Sequence, residues 1–323
     1  MNYYLYKLAF DTAVHFGSSS AQSLYVSEDH FCADTLFSAL CHTALTLHGS
    51  DGLVRLCQAA KAGQLLLSDS MPWLGDQLYI PKPLVSSETG KDVPAEKRKA
   101  VKRLKWIPAD HFAAFAESVR GGAAYDAEGV QTEFGVSTSA AKVRITQGED
   151  SMPYQVGLYY FKENAGLWFI VGCETPQLEE LVSTLVEGLG HSGIGGKTSA
   201  GYGKIHVEDT VLLNEPFDET TQWLYASLDD KDAAKQILLS TSLPSDGELT
   251  ALLPDAEYML TRRSGFVLSS SYAEESRKKT SQVFLSAGSV LPARFRPVLY
   301  EVGEGGRHPV YRLSAPLFLG VEL

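Results

Sequence analysis

The sequence predicts an α+β protein with two ferredoxin-like (RRM-like) domains, the second degenerate, and a helical and hairpin insertion in the first. Segments with strand and helix periodicity over the first two thirds of the chain follow the order βαββαβ, which is that of a ferredoxin-like domain. A glycine-rich stretch then separates the last helix of this series from its last strand. The chain has 323 residues, which is long enough for a second core.

The predicted boundary between the domains lies near residue 213, where the first series of elements ends. The N-terminal domain covers residues 1–212, with its insertion at about residues 85–150 and the glycine-rich loop at residues 193–204. The C-terminal domain covers residues 213–323.

The first domain opens with an aromatic and aliphatic strand at residues 3–10, followed by a loop at residues 15–20. Asp34 is predicted to cap the N-terminus of an amphipathic helix that reaches about residue 47. The later elements follow from apolar periodicity and turn residues: a helix at 53–62, an extended segment at 71–83, a helix at 111–119, a hairpin-like projection at 134–151, strands at 154–162 and 167–173, a helix at 176–190 and a strand at 204–207.

The second domain repeats this pattern less clearly. Its predicted elements are a strand at 236–241, a short helix at 248–253, a strand at 258–268, strand-like segments at 282–284 and 289–291, and an apolar strand at 311–323.

The composition limits the functions open to the chain. A formal net charge of -11 argues against indiscriminate coating of nucleic acid, so any contact with nucleic acid must be local. The four cysteines show no metal-binding spacing, and we expect neither a metal nor a cofactor. There is no signal-peptide run and no membrane-length apolar window, which predicts a cytoplasmic protein with no membrane partner.

The glycine-rich loop carries the strongest functional pattern. Glycines leave the backbone uncovered, so its amides can approach phosphate oxygens closely, while lysines, hydroxyls and an aromatic ring add charge, hydrogen bonds and a stacking face. A polyanion is therefore the expected ligand. The candidate binding residues of this loop are Gly193, Gly195, Gly196, Lys197, Thr198, Ser199, Gly201, Tyr202, Gly203 and Lys204.

The loop has two other interpretations. A nucleotide-binding P-loop would place a glycine at position 191, which is His191, and would run from a strand into a helix rather than from a helix into a strand. A glycine-rich surface turn without a ligand is the stronger alternative.

Further candidate ligand-binding residues lie outside the loop. Lys142 and Arg144 are two residues apart on an extended segment, so both side chains can face the same way. Arg262 and Arg263 are adjacent on a predicted strand, so at most one should face a ligand. The remaining candidates are His15, Lys82, Arg277 and Lys278, and a solvated surface remains the alternative for the basic clusters at 97–105 and 277–279.

The order of several motifs resembles a known family. A glycine-rich loop between a helix and the last strand of a ferredoxin-like domain resembles the RAMP superfamily, the RNA-binding folds of CRISPR effector complexes. The whole chain is similar to the fourth subunit of the type III-A Csm complex. The motifs that carry this resemblance are HFG at 15–17, ADTLFSAL at 33–40, PKP at 81–83, RRSGFV at 262–267, RKK at 277–279, AGSV at 287–290 and PLFLG at 316–320.

The resemblance implies a non-catalytic subunit that caps the complex by binding the 5′ repeat-derived tag of CRISPR RNA. It also implies docking to the large polymerase-like subunit and to the first backbone RAMP subunit, within an antiviral ribonucleoprotein. Single-stranded RNA can be held by phosphate contacts and by splayed bases on aromatic faces, which agrees with the residues of the loop.

Two catalytic alternatives stay open. Some RAMP relatives are metal-independent endoribonucleases that process precursor CRISPR RNA, and His15, His42 or His191 could activate a ribose hydroxyl, with His191 favoured because it borders the loop. Cleavage by a loop aspartate would use Asp34, although capping of the helix alone explains an aspartate at that position.

Overall fold

The computed structural model describes residues 1–17, 24–86, 94–144 and 152–323. The α-helices of the described ranges are α1 (Ala33–Lys61), α2 (Ala95–Arg103), α3 (Phe112–Val119), α4 (Pro176–Ser192), α5 (Glu219–Asp229) and α6 (Asp246–Leu252). The strands are β1 (Asn2–Phe10), β2 (Phe16–Gly17), β3 (Ser27–Glu28), β4 (Leu65–Leu67), β5 (Met71–Leu74), β6 (Gln77–Pro81), β7 (Trp106–Pro108), β8 (Gly135–Arg144), β9 (Met152–Phe161), β10 (Ala165–Cys173), β11 (Ile205–Leu212), β12 (Lys235–Leu238), β13 (Leu260–Arg263), β14 (Gln282–Leu285), β15 (Val290–Leu291), β16 (Val298–Glu301), β17 (Tyr311–Ser314) and β18 (Phe318–Val321).

The main sheet has seven strands in the order β11-β1-β10-β5-β6-β7, and β4 also pairs with β10. β1 lies between β10 and β11 and is antiparallel to both. Helices α1 and α4 pack against each other and join the same hydrophobic core. The chain is therefore a mixed α/β protein, as the α+β pattern predicts.

Both faces of the main sheet are covered. Tyr4 and Leu8 of β1 belong to the core beneath α1 and α4, whereas Tyr3 and Leu5 belong to a second core. This alternation follows from the period of two residues in a strand. The second core also contains residues from the C-terminal third, namely Leu213, Leu224, Ile237, Leu317, Leu319 and Val321. The N-terminal and C-terminal parts of the chain thus share a hydrophobic core.

The partner of β9 differs from the prediction. The βαββαβ order predicts that the strands at 154–162 and 167–173 pair with each other, but β9 pairs with β8 along ten residues in a separate hairpin. β10 instead pairs with β1, β4 and β5. Val156 and Leu158 of β9 pack on Ala13 in a small cluster of their own. Because β4 has only three residues, its pattern was too short to identify it as the core strand.

Other boundaries also differ. The two helices predicted at 35–47 and 53–62 form one element, α1, interrupted where Gly49 adopts φ 64° and ψ -158°. The strand predicted at 258–268 shortens to β13, and the strand predicted at 311–323 divides into β17 and β18 around residues 315–317. The predicted loop at 18–20 and the predicted hairpin tip at 145–151 lie outside the described residues.

The C-terminal part carries smaller sheets. β12 lies between β15 and β18, while β13 pairs with β14 and β16 pairs with β17. Asp69, which follows β4, accepts hydrogen bonds from Thr241 through its backbone amide at 2.9 Å and its hydroxyl at 2.6 Å. The same carboxylate accepts the amide of Ala33 at 2.8 Å. This carboxylate therefore ties the start of α1 to the C-terminal part.

Candidate nucleic-acid interface

A groove of about 1810 Å³ runs between the N-terminal and C-terminal parts of the chain. Its walls come from the segment after β1, the first turns of α1, the segments that flank β7, the glycine-rich loop, and the region of β13 and β17. The sequence separation of these segments is large, so no local pattern could reveal that they share one surface.

The groove is basic although the whole chain is acidic. Its lysine and arginine side chains are Lys82, Lys102, Arg103, Lys105, Lys197, Arg262, Arg263, Lys278, Lys279 and Arg312. These ten cations face only three groove carboxylates, Glu28, Asp34 and Asp69, while the chain carries a net charge of -11. A local excess of positive charge of this kind attracts phosphate groups.

The groove brings together ten of the eighteen residues predicted to bind a ligand: His15, Lys82, Gly193, Gly195, Gly196, Lys197, Thr198, Arg262, Arg263 and Lys278. Seven others lie outside its lining: Lys142, Ser199, Gly201, Tyr202, Gly203, Lys204 and Arg277. Arg144 is the last residue of β8, and its side chain lies outside the described part of the structure.

The glycine-rich loop turns through left-handed backbone several times. Lys197 adopts φ 63°, which is uncommon for a residue with a side chain, and the remaining positive values belong to glycines. The amide of Gly196 donates to the His15 carbonyl at 2.8 Å, and that of Gly203 donates to the Ala13 carbonyl at 2.8 Å. Among the described residues, no acceptor bonds the amides of Gly195, Lys197 and Thr198, so the described part of the fold does not use these donors.

The glycines of this loop are also required by packing inside the protein. A Cβ atom on Gly195 would lie 2.9 Å from the His15 carbonyl oxygen, and one on Gly196 would lie 2.7 Å from the His15 ring. Bulky residues at these two positions would therefore displace the loop itself, in addition to blocking close approach to its backbone.

His15 is a buried residue that connects the loop to the β8–β9 hairpin. Its Nδ1 lies 2.7 Å from the Gly157 carbonyl oxygen, and its own carbonyl accepts the Gly196 amide. Because a carbonyl can only accept, Nδ1 carries the proton and Nε2 of the neutral ring is an acceptor. A ligand in the groove can therefore meet only Nε2.

Lys82 stabilises a helix from within the groove wall. Its ammonium donates to the Val101 carbonyl at 2.9 Å and to the Lys102 carbonyl at 3.4 Å, at the C-terminal end of α2. Burial lowers the pKa of Lys82, and the nearby Lys102 lowers it further. The side chain is thus committed largely to the helix end.

Arg262 and Arg263 point in different directions, as their adjacent positions on a strand predict. Arg262 is exposed and donates to the Ser281 hydroxyl at 2.6 Å. Arg263 forms a bidentate ion pair with Asp34, in which Nε donates to Oδ2 at 3.1 Å. Arg262 is therefore the arginine of this pair that is open to a ligand.

The predicted capping role of Asp34 is wrong. The N-cap residue of α1 is Cys32, and Asp34 lies inside the first turn with its carboxylate held by Arg263. Burial alone would raise the pKa of the Asp34 carboxyl, but the charge and hydrogen bonds of Arg263 outweigh it and the net shift is downward. The carboxylate is thus an ionised anchor for an arginine.

Tyr202 and Lys142 contact each other beside the groove. The Lys142 ammonium lies 4.9 Å from the centre of the Tyr202 ring, and Lys197 lies 5.2 Å from the ring of Tyr154 on β9. These cation–π contacts join the β8–β9 hairpin to the glycine-rich loop. A base could stack on this face of Tyr202 only after Lys142 moved away.

Several groove residues were not among the predicted ligands. Lys102, Arg103 and Lys105 belong to the basic cluster at 97–105, for which a solvated surface is the alternative interpretation, and all three line the groove. Lys105 donates to Asp29 at 2.8 Å. Lys279 and Arg312 also line the groove, and Arg312 is only 3% exposed. The basic triplet at 277–279 could have identified Lys279 as a candidate ligand-binding residue. The sequence around Arg312 contains no pattern that indicates such a role.

Comparison with known proteins places this chain in a family. A family model described as "CRISPR Csm4 C-terminal domain" matches residues 231–321. A CRISPR system protein Csm4 of Mycobacterium tuberculosis strain CDC 1551 is 35% identical over 323 residues, which cover 99% of this chain and 98% of the relative. The chain belongs to the Csm4 family. A Streptococcus thermophilus Csm4 is 28% identical, with full coverage of both chains.

Solved structures share the fold. A chain from the crystal structure of a Csm3–Csm4 subcomplex in a type III-A CRISPR-Cas interference complex superimposes with a TM-score of 0.64 at 14% identity, covering 99% of both chains. A chain from a Csm1–Csm4 cassette with cA4 gives a TM-score of 0.60 at 18% identity, covering 100% of this chain and 99% of the other. In the described part of this chain, none of the helices is long and apolar enough to cross a bilayer.

Proposed function

We propose that this chain is the subunit of a type III-A CRISPR complex that binds and caps the 5′ repeat-derived tag of CRISPR RNA in the basic groove. The observation that carries this proposal is the concentration of ten cations in one groove of an acidic chain, with the glycine-rich loop as one wall. Contacts between protein cations and phosphates supply much of the affinity of a protein for single-stranded RNA.

The loop geometry supports a phosphate contact at a defined place. The unbonded amides of Gly195, Lys197 and Thr198 lie within four residues of the loop, and Lys197 has left-handed backbone. Successive backbone amides around a left-handed residue form anion-binding concavities. Strained backbone of this kind concentrates at ligand-binding sites. We therefore assign the loop to the RNA backbone rather than to a base.

The proposed partners are the large polymerase-like subunit and the first backbone RAMP subunit. The family relatives were solved with Csm1 and with Csm3, which supports both contacts. Outside the groove the surface is acidic overall, so its remaining area faces solvent or basic protein surfaces. The subunit acts in the cytoplasm as part of an antiviral ribonucleoprotein.

We also propose that residues 1–212 form a ferredoxin-like domain, with residues 213–323 as a degenerate second domain. The strand order β11-β1-β10-β4, with α1 after β1 and α4 after β10, supports the first assignment. The shared core of the two parts supports a fixed geometry between them, so the groove would keep its width.

The first test is to purify the tagged chain from its native cells and sequence the 5′ ends of the RNA that accompanies it. Short RNAs that share one repeat-derived 5′ tag are expected. RNA-free protein, or RNAs with mixed 5′ ends, would contradict the proposal.

A pair of matched variants tests the groove itself. Lys102→Gln with Arg103→Gln removes two charges that line the groove, and Arg98→Gln with Lys99→Gln removes two charges from the same helix outside it. We expect the first pair to reduce the salt dependence of RNA binding by about 1.4 in log–log slope, and the second pair to leave it nearly unchanged. Equal effects of the two pairs would mean that the groove is not the binding surface.

The proposed role is non-catalytic, and the nuclease alternative has one supporting observation. His15 and His42 both line the groove, whereas His191, the favoured candidate, lies at the exposed end of α4 outside its lining. Incubation of precursor CRISPR RNA with the purified chain should yield no cleavage. Cleavage that is lost in His42→Gln would establish the alternative.

A further inference from the structure

Lys279 differs from the other unpaired cations of the groove. Lys102, Arg103, Lys197 and Lys278 are exposed to solvent, which satisfies their charges. Lys279 is half-buried, yet no hydrogen-bond acceptor and no carboxylate within 4.0 Å engages its ammonium among the residues that the structure describes. A partly desolvated ammonium without an acceptor is costly, so this side chain is suited to a ligand.

The surroundings of Lys279 carry excess positive charge. Asp34 is the carboxylate whose charge acts on Lys279. It is already bound by Arg263, and the Nε atom of Arg312 lies 3.6 Å from its Oδ2 atom. Cys41 is a neutral thiol, because its neighbour Cys57 and burial raise its pKa well above the usual value. Three cations therefore face one carboxylate, and an incoming anion would balance the site.

Helix α1 supplies neutral donors on the same surface. Ser38 and His42 line the groove four residues apart, which places them on one face of the helix. Lys279 lines the same groove as these two residues. Burial lowers the pKa of His42, and the charge of Lys279 lowers it further. An ammonium, a hydroxyl and an imidazole can together surround one tetrahedral phosphate group.

We propose that Lys279, His42 and Ser38, which all line the groove, form a subsite for a single phosphate of the RNA backbone. This inference rests on the proposed function. Arg263 and Arg312, which are held by Asp34, then make the electrostatic potential of the site more positive and do not bind the phosphate directly.

The subsite makes RNA binding depend on pH. Burial lowers the pKa of Lys279 in the free chain, Asp34 opposes this shift, and Arg312 and Arg263 add to it. A bound phosphate favours the charged ammonium and raises its pKa. The affinity for RNA is therefore greatest at pH values below the pKa of Lys279 in the free chain, and it falls as the pH rises through that value. Protonation of His42 at lower pH strengthens binding. Cys41 stays neutral and Asp34 stays ionised over this range.

The test uses a fluorescein-labelled single-stranded RNA with the repeat-derived 5′ sequence and measures anisotropy. Lys279→Met should weaken binding about tenfold or more, because a hydrogen bond to a charged group contributes about 1.5–3 kcal/mol. It should also lower the salt slope by about 0.7 and flatten the alkaline loss of affinity. The matched control is Lys61→Met, an exposed lysine at the end of α1 and outside the groove lining, which should change affinity less than about twofold.

The outcomes separate the two proposals. Wild-type chain without affinity for the RNA would overturn both, whereas normal binding by Lys279→Met with an unchanged salt slope would overturn only the subsite. The melting temperature of Lys279→Met should not be lower than that of wild type, because the substitution relieves repulsion among cations. Lys279-dependent binding of ATP or inorganic phosphate, with RNA affinity unchanged, would assign the site to a free phosphate and refute the RNA contact.

Discussion

Asp34 and Arg263 are 229 residues apart in the chain and form a bidentate ion pair at the floor of the groove. The pair joins the first turn of α1 to β13, and the Thr35 hydroxyl accepts a further hydrogen bond from Arg263 at 3.1 Å. Both side chains are mostly buried, at 11% and 15% exposure. The contact holds together the two walls between which RNA is proposed to lie.

Removal of the Asp34 charge should destabilise the fold. Asp34→Asn leaves the Arg263 guanidinium buried without its counter-ion, and breaking a buried pair costs about 3–5 kcal/mol. Urea unfolding at neutral pH measures this loss. The control is Glu180→Gln on the exposed surface of α4, which should change the free energy of unfolding by less than about 0.5 kcal/mol. A loss no greater than that of the control would show that the pair adds nothing to stability.

The stability from Asp34 should also depend on pH. Its pKa is lower in the folded chain than in the unfolded chain, so its contribution is present above the unfolded value of about 3.9 and disappears as the pH falls through the folded value. The free-energy gap between wild type and Asp34→Asn should therefore narrow in acid. A gap that stays constant between neutral pH and strong acid would contradict the assignment.

Lys82 should act through α2. Lys82→Met removes the donors that satisfy the carbonyls of Val101 and Lys102, so the last turn of the helix should open more often. Hydrogen exchange of residues 95–103 should accelerate by about fivefold, corresponding to about 1 kcal/mol. Lys97→Met on the same helix is the control, because it bonds no carbonyl among the described residues. Equal rates of hydrogen exchange in Lys82→Met and Lys97→Met would show that Lys82 does not stabilise the end of α2.

The glycine-rich loop offers a contrast between two glycines. A Cβ atom on Gly203 would lie 2.1 Å from the Ile194 carbonyl oxygen, whereas one on Gly201 would meet nothing within 4 Å. Both have positive φ, so Gly201→Ala should cost about 1 kcal/mol from backbone strain alone. Gly203→Ala should cost at least about 2 kcal/mol more because of the clash. Similar melting temperatures for the two variants would refute the difference.

The sequence was informative where local patterns decide the structure. β1, α4 and the loop between α4 and β11 were predicted near their observed bounds, because each has clear periodicity or a run of glycines. The partner of β9 was not predictable, since alternation reveals that a strand exists but not which strand it pairs with.

The candidate site was predictable only in part for a related reason. Composition identified the loop and the basic clusters, which depend on short stretches of chain. The ion pair of Asp34 with Arg263 and the capping of α2 by Lys82 depend on contacts between distant segments. Such contacts change what a charged residue does, because an arginine or lysine that is already engaged is less available to a ligand.

Asp69 provides the opposite pH behaviour to Asp34. It is buried and accepts the Ala33 amide, the Thr241 amide and the Thr241 hydroxyl. Burial raises its pKa, and these hydrogen bonds offset only part of the shift. A raised folded pKa means that the native chain holds the proton more tightly, so stability declines as the pH rises from about 3.9 through the folded value.

Substitutions at Asp69 separate its charge from its hydrogen bonds. Asp69→Asn keeps one carbonyl oxygen for both backbone amides, and its amide can donate to the Thr241 hydroxyl, which can also accept. We expect stability within about 1 kcal/mol of wild type at neutral pH and a relative loss in acid, where wild-type Asp69 becomes protonated without penalty. Asp69→Ala leaves three donors unsatisfied and should cost about 3 kcal/mol or more. Urea unfolding across pH checks both variants, and a severe loss in Asp69→Asn at neutral pH would show that the ionised carboxylate itself is required.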